Sequence, residues 1–543
     1  MSAKTATDRG AEEKTLASVD ACISASEDTS VQDGDSGIAI ALSVVRADGN
    51  PDAPENVTYA ILTFEPNDPG DPHNWSKGKK LRIVLTGILM CINSSMGSIL
   101  TTNIFPQLQH TFGVPGGPQA VLPASLYLVG FMFGPLIFAP LSEGYGRKPV
   151  LVSGFALFGV ATLGAVLARN WAVFLFFRFL CGTFGSPPLS VVGGVIADVF
   201  CNEVTRGRVI MAWSAATFAG PLLAPVLTGF VSPALGWRWT FWIALIMVSV
   251  SFIPVIALPE TFATKILRTR AAKLNKKFKG RNFTAAGDVR KGSLWASLKT
   301  TLSRPLRLLF SEMLLALACV YMAFTYAVFY MMVQIFGTIF QGVYKFSLGI
   351  AGVAFSIMAI GTVSGCLFSL WYDNIGPRLG AKHPDKRAEY LRLPLACVGG
   401  PIFVISLVWL GWTATASVHW FVPLSALIPY GFAYQVIFVA MINYITDAYD
   451  IYAASALAAC GTTRSIAGAL IPLCVDKMLS SLGIAWSCTL LALISAVLGF
   501  VPFAFIMYGD KIRAASRFSA TLKPQTDSPD GGSLARARSL TTV

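Results

Sequence analysis

Between residues 81 and 508 the chain alternates apolar runs of about 20 residues with short polar connections. Wound as α-helix at about 1.5 Å per residue, a run of that length crosses the ~30 Å hydrocarbon core of a bilayer. Twelve spans are predicted, at 81–103, 120–141, 149–168, 172–198, 209–231, 239–258, 313–335, 348–372, 393–414, 418–444, 452–474 and 486–508. The strict period-two alternation of a lipid-facing barrel is missing, so the predicted fold is an all-α membrane protein. The longest connection, 259–312, divides the spans into an N-terminal six-helix bundle (79–258) and a C-terminal one (313–508). Residues 1–78 are polar and without helical period until their end, and read as an unfolded acidic tail; 509–543 read as a second polar tail.

Composition agrees with this division. Of the 543 residues, 54% are hydrophobic and 13% charged, about half the charge of a soluble domain. That leaves too little polar surface for a soluble enzyme. The net charge of +13 is unevenly spread: residues 1–75 hold four basic residues against fourteen acids, and 259–312 hold about thirteen Lys and Arg. Positive charge between apolar runs serves membrane topology, and no nucleic-acid partner is expected. Lys77, Lys79, Lys80 and Arg82 precede the first span, Arg147 and Lys148 join the second to the third, and Arg206 and Arg208 join the fourth to the fifth. The connection from the eighth to the ninth carries Arg378, Lys382, Lys386, Arg387 and Arg392, whereas the opposite loops hold one cation each at most. The richer set is assigned to the cytoplasm, and both termini with it. The ten cysteines are scattered, which argues against a disulfide framework or a metal site. No cleaved leader is expected, and the sequons at Asn56, Asn74, Asn93 and Asn282 fall on cytoplasmic or intramembrane positions.

Several local strings carry chemistry. The second-to-third connection reads Ala139-Pro140-Leu141-Ser142-Glu143-Gly144-Tyr145-Gly146-Arg147-Lys148. A carboxylate, a glycine turn and two cations at a helix junction suit a charge latch, with Glu143 capping a helix end and Arg147 reaching a carboxylate nearby. Asp198, at the same depth in the fourth span, is the candidate partner. Arg178, inside the fourth span, carries a charge that costs about 2.5–3.5 kcal/mol in a spanning helix, so it should face a partner or a wet cavity. The fifth span contains Gly220, Pro221, Ala224, Pro225 and Gly229; the prolines kink the helix and the small residues admit a neighbouring backbone. Polar residues within spans are candidates for a substrate cavity: Asn93, Tyr326, Tyr330, Gln334, Tyr434, Gln435 and Asn443. Asp447 and Arg464 are further candidates for coupling and gating. No phosphate-binding loop, zinc-protease or haem motif is present, so neither ATP nor a cofactor is expected and the energy comes from an ion gradient or from the substrate's own gradient.

The latch string resembles the signature loop of the major facilitator superfamily, Gly-x-x-x-Asp-Arg/Lys-x-Gly-Arg/Lys-Arg/Lys; Gly146, Arg147 and Lys148 match, Glu143 replaces Asp, and Ala139 and Gly144 depart from it. Arg178 through Gly182 resembles the superfamily's Arg-x-x-x-Gly motif, which implies a role in proton coupling. The fifth span is similar to the antiporter motif of drug exporters. Four further strings, Asp71 to Ser76, Leu258 to Phe262, Glu389 to Pro394 and Asn443 to Tyr449, resemble the fungal twelve-spanner drug:proton antiporters. The resemblance implies a non-enzymatic, secondary active exporter of small hydrophobic or amphipathic molecules by proton antiport, monomeric, in the plasma membrane. A sugar-like facilitator or symporter and a non-transporting receptor are the alternatives.

Overall fold

The computed structural model describes residues 30–33, 38–45, 57–65, 67–277, 282–285, 305–382, 392–449 and 453–514. The spanning helices are α1 (Lys77–Ile99), α2 (Leu122–Tyr145), α3 (Arg147–Leu167), α4 (Trp171–Val199), α5 (Glu203–Leu235) and α6 (Trp237–Ile256) in the first half. The second half holds α7 (Met313–Gly337), α8 (Leu348–Ile375), α9 (Leu393–Thr413), α10 (Phe421–Tyr449), α11 (Ala453–Leu470) and α12 (Val475–Gly499, running on through Val501–Ala514). Among the described residues, eleven apolar stretches long enough to span are separated by helix breaks; the last, Ser455–Gly509, has 55 residues. At about 1.5 Å per residue that is roughly 80 Å of helix, enough for two crossings. It breaks between Leu470 and Val475 and again at Gly483, whose φ of 72° lies in the left-handed region that glycine tolerates. Twelve crossings result.

The packing repeats with a shift of six helices. In the first half α1 lies along α5, α2 and α3 against α4, and α3 against α6. In the second half α7 lies along α11, α8 and α9 against α10, and α9 against α12. The two most extensive contacts between the halves are α5 with α8 and α2 with α11, and the same shift exchanges one for the other. The fold is therefore two like bundles around a pseudo-twofold axis, a plan that places a site at their seam.

A small unit sits at the Arg147 end, called the latch end below. Strands β1 (Ser30–Asp33), β2 (Ile38–Val45) and β3 (Val57–Phe64) are antiparallel, and β3 pairs in parallel with β4 (Asn282–Ala285). Three strands thus lie in the stretch read as an unfolded tail. The β-branched and aromatic residues Val57, Thr58, Tyr59 and Ile61 favour an extended chain locally, and the partner strand lies more than 200 residues away. Leu62 and Phe283 bury against Leu267 and Ala271 of the helix Ala263–Lys277. Arg270 clamps Asp68 at 2.5 Å, and Arg268 donates to the Gly144 carbonyl at 3.1 Å. The remainder of the two predicted tails, and the linker cations Lys279, Arg281, Arg290 and Lys291, lie outside the described residues.

Burial raises the Asp68 carboxyl, but the Arg270 pair and the Gly70 N–H outweigh it and hold it below the ordinary value of 3.8. A lowered acid stabilises the contact above its ordinary pKa and loses that contribution as pH falls through the lower folded value. Asp68→Asn mimics the protonated state. It is expected to raise proteolytic cleavage of 57–75 by about tenfold at neutral pH, as local opening by ~1.4 kcal/mol would; unchanged protection in a limited-proteolysis time course would remove the clamp from the account.

Candidate functional site

The latch end is organised by one carboxylate and one guanidinium. Helix α3 begins directly after Gly146, whose φ of 107° turns the backbone sharply out of α2. The first N–H groups of a helix have no internal partner. Here the Glu260 carboxylate accepts from the N–H of Arg147 at 2.8 Å and of Lys148 at 3.3 Å, and also from Thr261 and Phe262. An anion at a helix N-terminus is favoured by the dipole as well. The Arg147 side chain donates from Nε to Asp198 at 3.0 Å and from Nη1 to Ser142, with Phe262 below its plane at 5.0 Å. Glu143 is exposed on the last turn of α2, and Glu260, not Glu143, caps the α3 helix. Arg147 and Asp198 both belong to the first half. The latch therefore stiffens that half and ties it to the connection leaving α6; it does not bridge the halves. Asp447 of α10 faces Arg392 at 3.5 Å, the pair related to Asp198 and Arg147 by the six-helix shift.

Arg178 is 1% exposed. Its Nε donates to the Pro123 carbonyl at 3.2 Å and Nη2 to Gly97 at 2.8 Å and Ser98 at 3.5 Å. The Tyr127 ring lies 4.6 Å away, and a void of only about 10 Å³ adjoins the group. Gly97 and Ser98 are in the last turn of α1, where carbonyls lack helical donors. The Arg178 guanidinium thus caps the C-terminal end of α1 and also holds the start of α2.

The seam begins at the same place. Ser98 Oγ accepts from the Tyr330 hydroxyl at 2.8 Å, Tyr330 and Tyr326 share a hydrogen bond at 3.3 Å, and Arg464 lies over the Tyr326 ring at 4.9 Å. A continuous polar path therefore runs from Arg178 in α4 to Arg464 in α11. Beside it Phe218 of α5 meets Tyr434 edge-on at 4.6 Å and Phe438 at 4.9 Å, while Phe329 and Tyr434 lie 5.3 Å apart. Nearer the far end, Ser125 donates across the seam to the Ala469 carbonyl at 2.6 Å and a Cβ on Gly229 would strike the Leu348 carbonyl, while Gln334 donates to Pro472 at 3.5 Å within the second half. Pro225 and Val226 abut Gly352 of α8, and Ala224 is fully buried. Gly220, by contrast, admits the α1 backbone at Ile92 and Met96 within the first half, and buried Pro221 follows it.

Other predicted residues are dispersed. Asn93 donates to Ser251 of α6 at 2.9 Å, inside the first half and away from the seam. Gln435 of α10 is fully buried and does reach the seam, donating across it to Ser214 of α5 at 3.5 Å. Asn443 is half-buried, a little over one turn from the latch end of α10. Sequence reasoning missed Glu260, Ser98 and Phe218. Glu260 stood in a quoted string after the sixth span, but no spacing rule assigned it a helix to cap.

A profile of the Major Facilitator Superfamily matches residues 84–472. The chain belongs to the major facilitator superfamily. It is 34% identical over 462 residues to efflux pump FUBT of Fusarium oxysporum, covering 84% of this chain and 77% of that protein. It is also 34% identical over 469 residues to the major facilitator multidrug transporter mdrA of Aspergillus fumigatus, with 86% and 77% coverage. The solved structure of the E. coli xylose transporter XylE superposes with a TM-score of 0.56 at 15% identity, covering 79% of this chain and 98% of that one. The major facilitator fold accounts for the six-helix repeat, and the chain is a multi-pass membrane transporter, not an enzyme.

Removal of Arg178 leaves carbonyls at the end of α1 without donors, at about 1–3 kcal/mol for each buried group. Arg178→Ala is expected to lower the melting temperature of the solubilised protein by several degrees, with Arg178→Lys intermediate because an ammonium cannot span both helices. An unshifted melting curve for the alanine variant would refute the capping role.

Proposed function

We propose that the protein is a secondary active exporter that moves small amphipathic molecules out of the cell in exchange for protons, by rocking its two halves about the seam. The relatives named as efflux pump and multidrug transporter support the direction of transport. The observation that carries the mechanism is the seam itself. It is built from two symmetry-exchanged helix pairs, closed at the far end by backbone-to-backbone contacts at Gly229 and Gly352 and by the Tyr330–Ser98 and Ser125–Ala469 hydrogen bonds. Such contacts release as a unit, because small residues interlock little and each hydrogen bond contributes only about 1 kcal/mol net.

The Lys and Arg bias supports a cytoplasmic latch end with both termini on that side, and the plasma membrane is the proposed site. The Arg147–Asp198–Glu260 cluster keeps the first half rigid as it rocks, and Arg392–Asp447 does the same in the second. The tyrosine pair between Arg178 and Arg464 supplies the polar path across the seam, with Tyr326, Tyr330 and Tyr434 beside the substrate. The working unit is a monomer, since both halves of the site come from one polypeptide. A proton moving down 100 mV supplies about 2.3 kcal/mol, enough for a gradient of roughly fiftyfold per charge.

Proteoliposomes holding the full-length protein, loaded with fluorescent amphipaths of each charge sign and given an imposed pH gradient, test this. Proton-dependent flux of at least one dye, collapsed by a protonophore, is expected; flux indifferent to the gradient would indicate a facilitator, and none would leave a receptor. Pro221→Ala with Pro225→Ala restores two helical N–H groups in α5 and straightens it. That double variant is expected to cut flux about tenfold while its melting temperature holds. Normal flux would reduce these prolines to packing.

A further inference from the structure

The charges within the spans are distributed in a lopsided way. Glu143, Asp198, Asp373 and Asp447 stand within a few residues of the latch end, and Asp476 stands at the far end. Among the charged residues of the spans, only Arg178 and Arg464 stand more than five positions from an end of their helix. The first is satisfied by three carbonyls. The second is not. Arg464 has the Tyr326 and Phe438 rings each 4.9 Å from its guanidinium carbon, and its Nε is buried with no hydrogen-bond partner among the described residues. The hydroxyl of Tyr434, 3% exposed, is likewise buried without a partner. One turn from Arg464 on the same face of α11, a Cβ added to Gly461 would meet nothing within 4 Å, so open space adjoins the guanidinium.

We infer that Arg464 anchors the negative charge of the exported molecule, so that the substrate is a flat, amphipathic organic anion whose carboxylate or sulfonate pairs with the guanidinium while its apolar body lies against the Tyr326, Phe438 and Tyr434 rings. This rests on the exporter reading and narrows it. A guanidinium offers two parallel N–H donors to a planar oxyanion, and charge-assisted bonds of that kind are roughly twice as strong as neutral ones. The rings leave the guanidinium edge free to donate while they cover its face. A cationic substrate would meet a like charge there and, among the described residues, no acid at that depth. With the proton-binding carboxylates confined to the span ends, the oxyanion is itself the acidic group at the centre of the seam.

Three isosteric probes separate the charge states: naphthalene-2-sulfonate, naphthalene-2-sulfonamide and 2-naphthylmethylammonium, titrated onto the full-length protein in nanodiscs and read by naphthalene fluorescence anisotropy. The sulfonate is expected to bind at least about tenfold more tightly than the sulfonamide, with the ammonium weakest. Arg464→Gln removes that preference, and Gly461→Leu, which fills the space without altering charge, weakens sulfonate and sulfonamide together. Equal binding of sulfonate and sulfonamide, tighter binding of the ammonium, no binding of the sulfonate, or an undiminished preference in Arg464→Gln would each overturn the inference. The wild-type comparison needs no variant and stands if Arg464→Gln fails to fold. Proton-driven extrusion of neutral or cationic dyes with no anion preference would sink this inference and leave the exporter reading intact; absence of any driven flux, with the sulfonate still preferred, would do the reverse.

Discussion

Hydrocarbon solvates neither a peptide group nor a charge, and the architecture follows from that constraint. Every backbone N–H and C=O within the spans must bond inside its own helix or to a neighbour. Helix ends are therefore the expensive places, and side chains finish several of them: Glu260 at the start of α3, Arg178 at the end of α1, and Asn170, Asn202 and Ser347 at the starts of α4, α5 and α8, where they accept from the N–H groups of Val173, Thr205 and Ile350. The same constraint pushes acids to the span ends and leaves two arginines deeper in. One is absorbed into the fold by carbonyls, and the other is shielded only by rings.

From this comes a division of labour between rigid and releasable contacts. Within each half, helices meet through buried large side chains such as Phe155, Phe174 and Phe241 in the first and Phe403 and Tyr430 in the second. Between the halves the contacts include glycine against backbone, the serine-to-carbonyl bonds Ser125–Ala469 and Ser356–Leu222, the Gln435–Ser214 and Arg208–Asn374 bonds, the Phe218 ring against Tyr434 and Phe438, and a short run of tyrosines. A bundle held by dense apolar packing moves as a body, and a seam held by a few hydrogen bonds parts without loss of either core. The small β unit at the latch end adds a tether: through Arg268, Arg270 and Asp68 it connects the segment before α1 to the one after α6.

Much of this was legible in the sequence because span length is a one-dimensional property. Twelve runs of about 20 apolar residues read directly as helices, and Arg147 and Asp198 could be paired because both lie near one end of their spans. What could not be read was which face of each helix meets the seam. Helices such as α9 are apolar on all sides, since lipid and protein interior select the same residues. Asn93 accordingly reads as a cavity residue but bonds Ser251 inside the first half, while Phe218, one aromatic among many, joins α5 to α10. The β3–β4 pairing was hidden for a different reason: short strands with a partner over 200 residues away leave no local mark. Glu260 needed the three-dimensional position of Gly146 before its capping role emerged.

The central claim is that two rigid halves rock about a seam now closed at the far end. Paired spin labels at exposed positions test it most directly: Gly116 with Ala416 across the far end, and Tyr145 with Tyr508 across the latch end. The account predicts that, with a proton gradient and substrate present, the first distance lengthens while the second shortens, and that distances within each half stay constant. If both pairs changed in the same direction, or distances within one half changed as much as those across the seam, the rocking account would be contradicted.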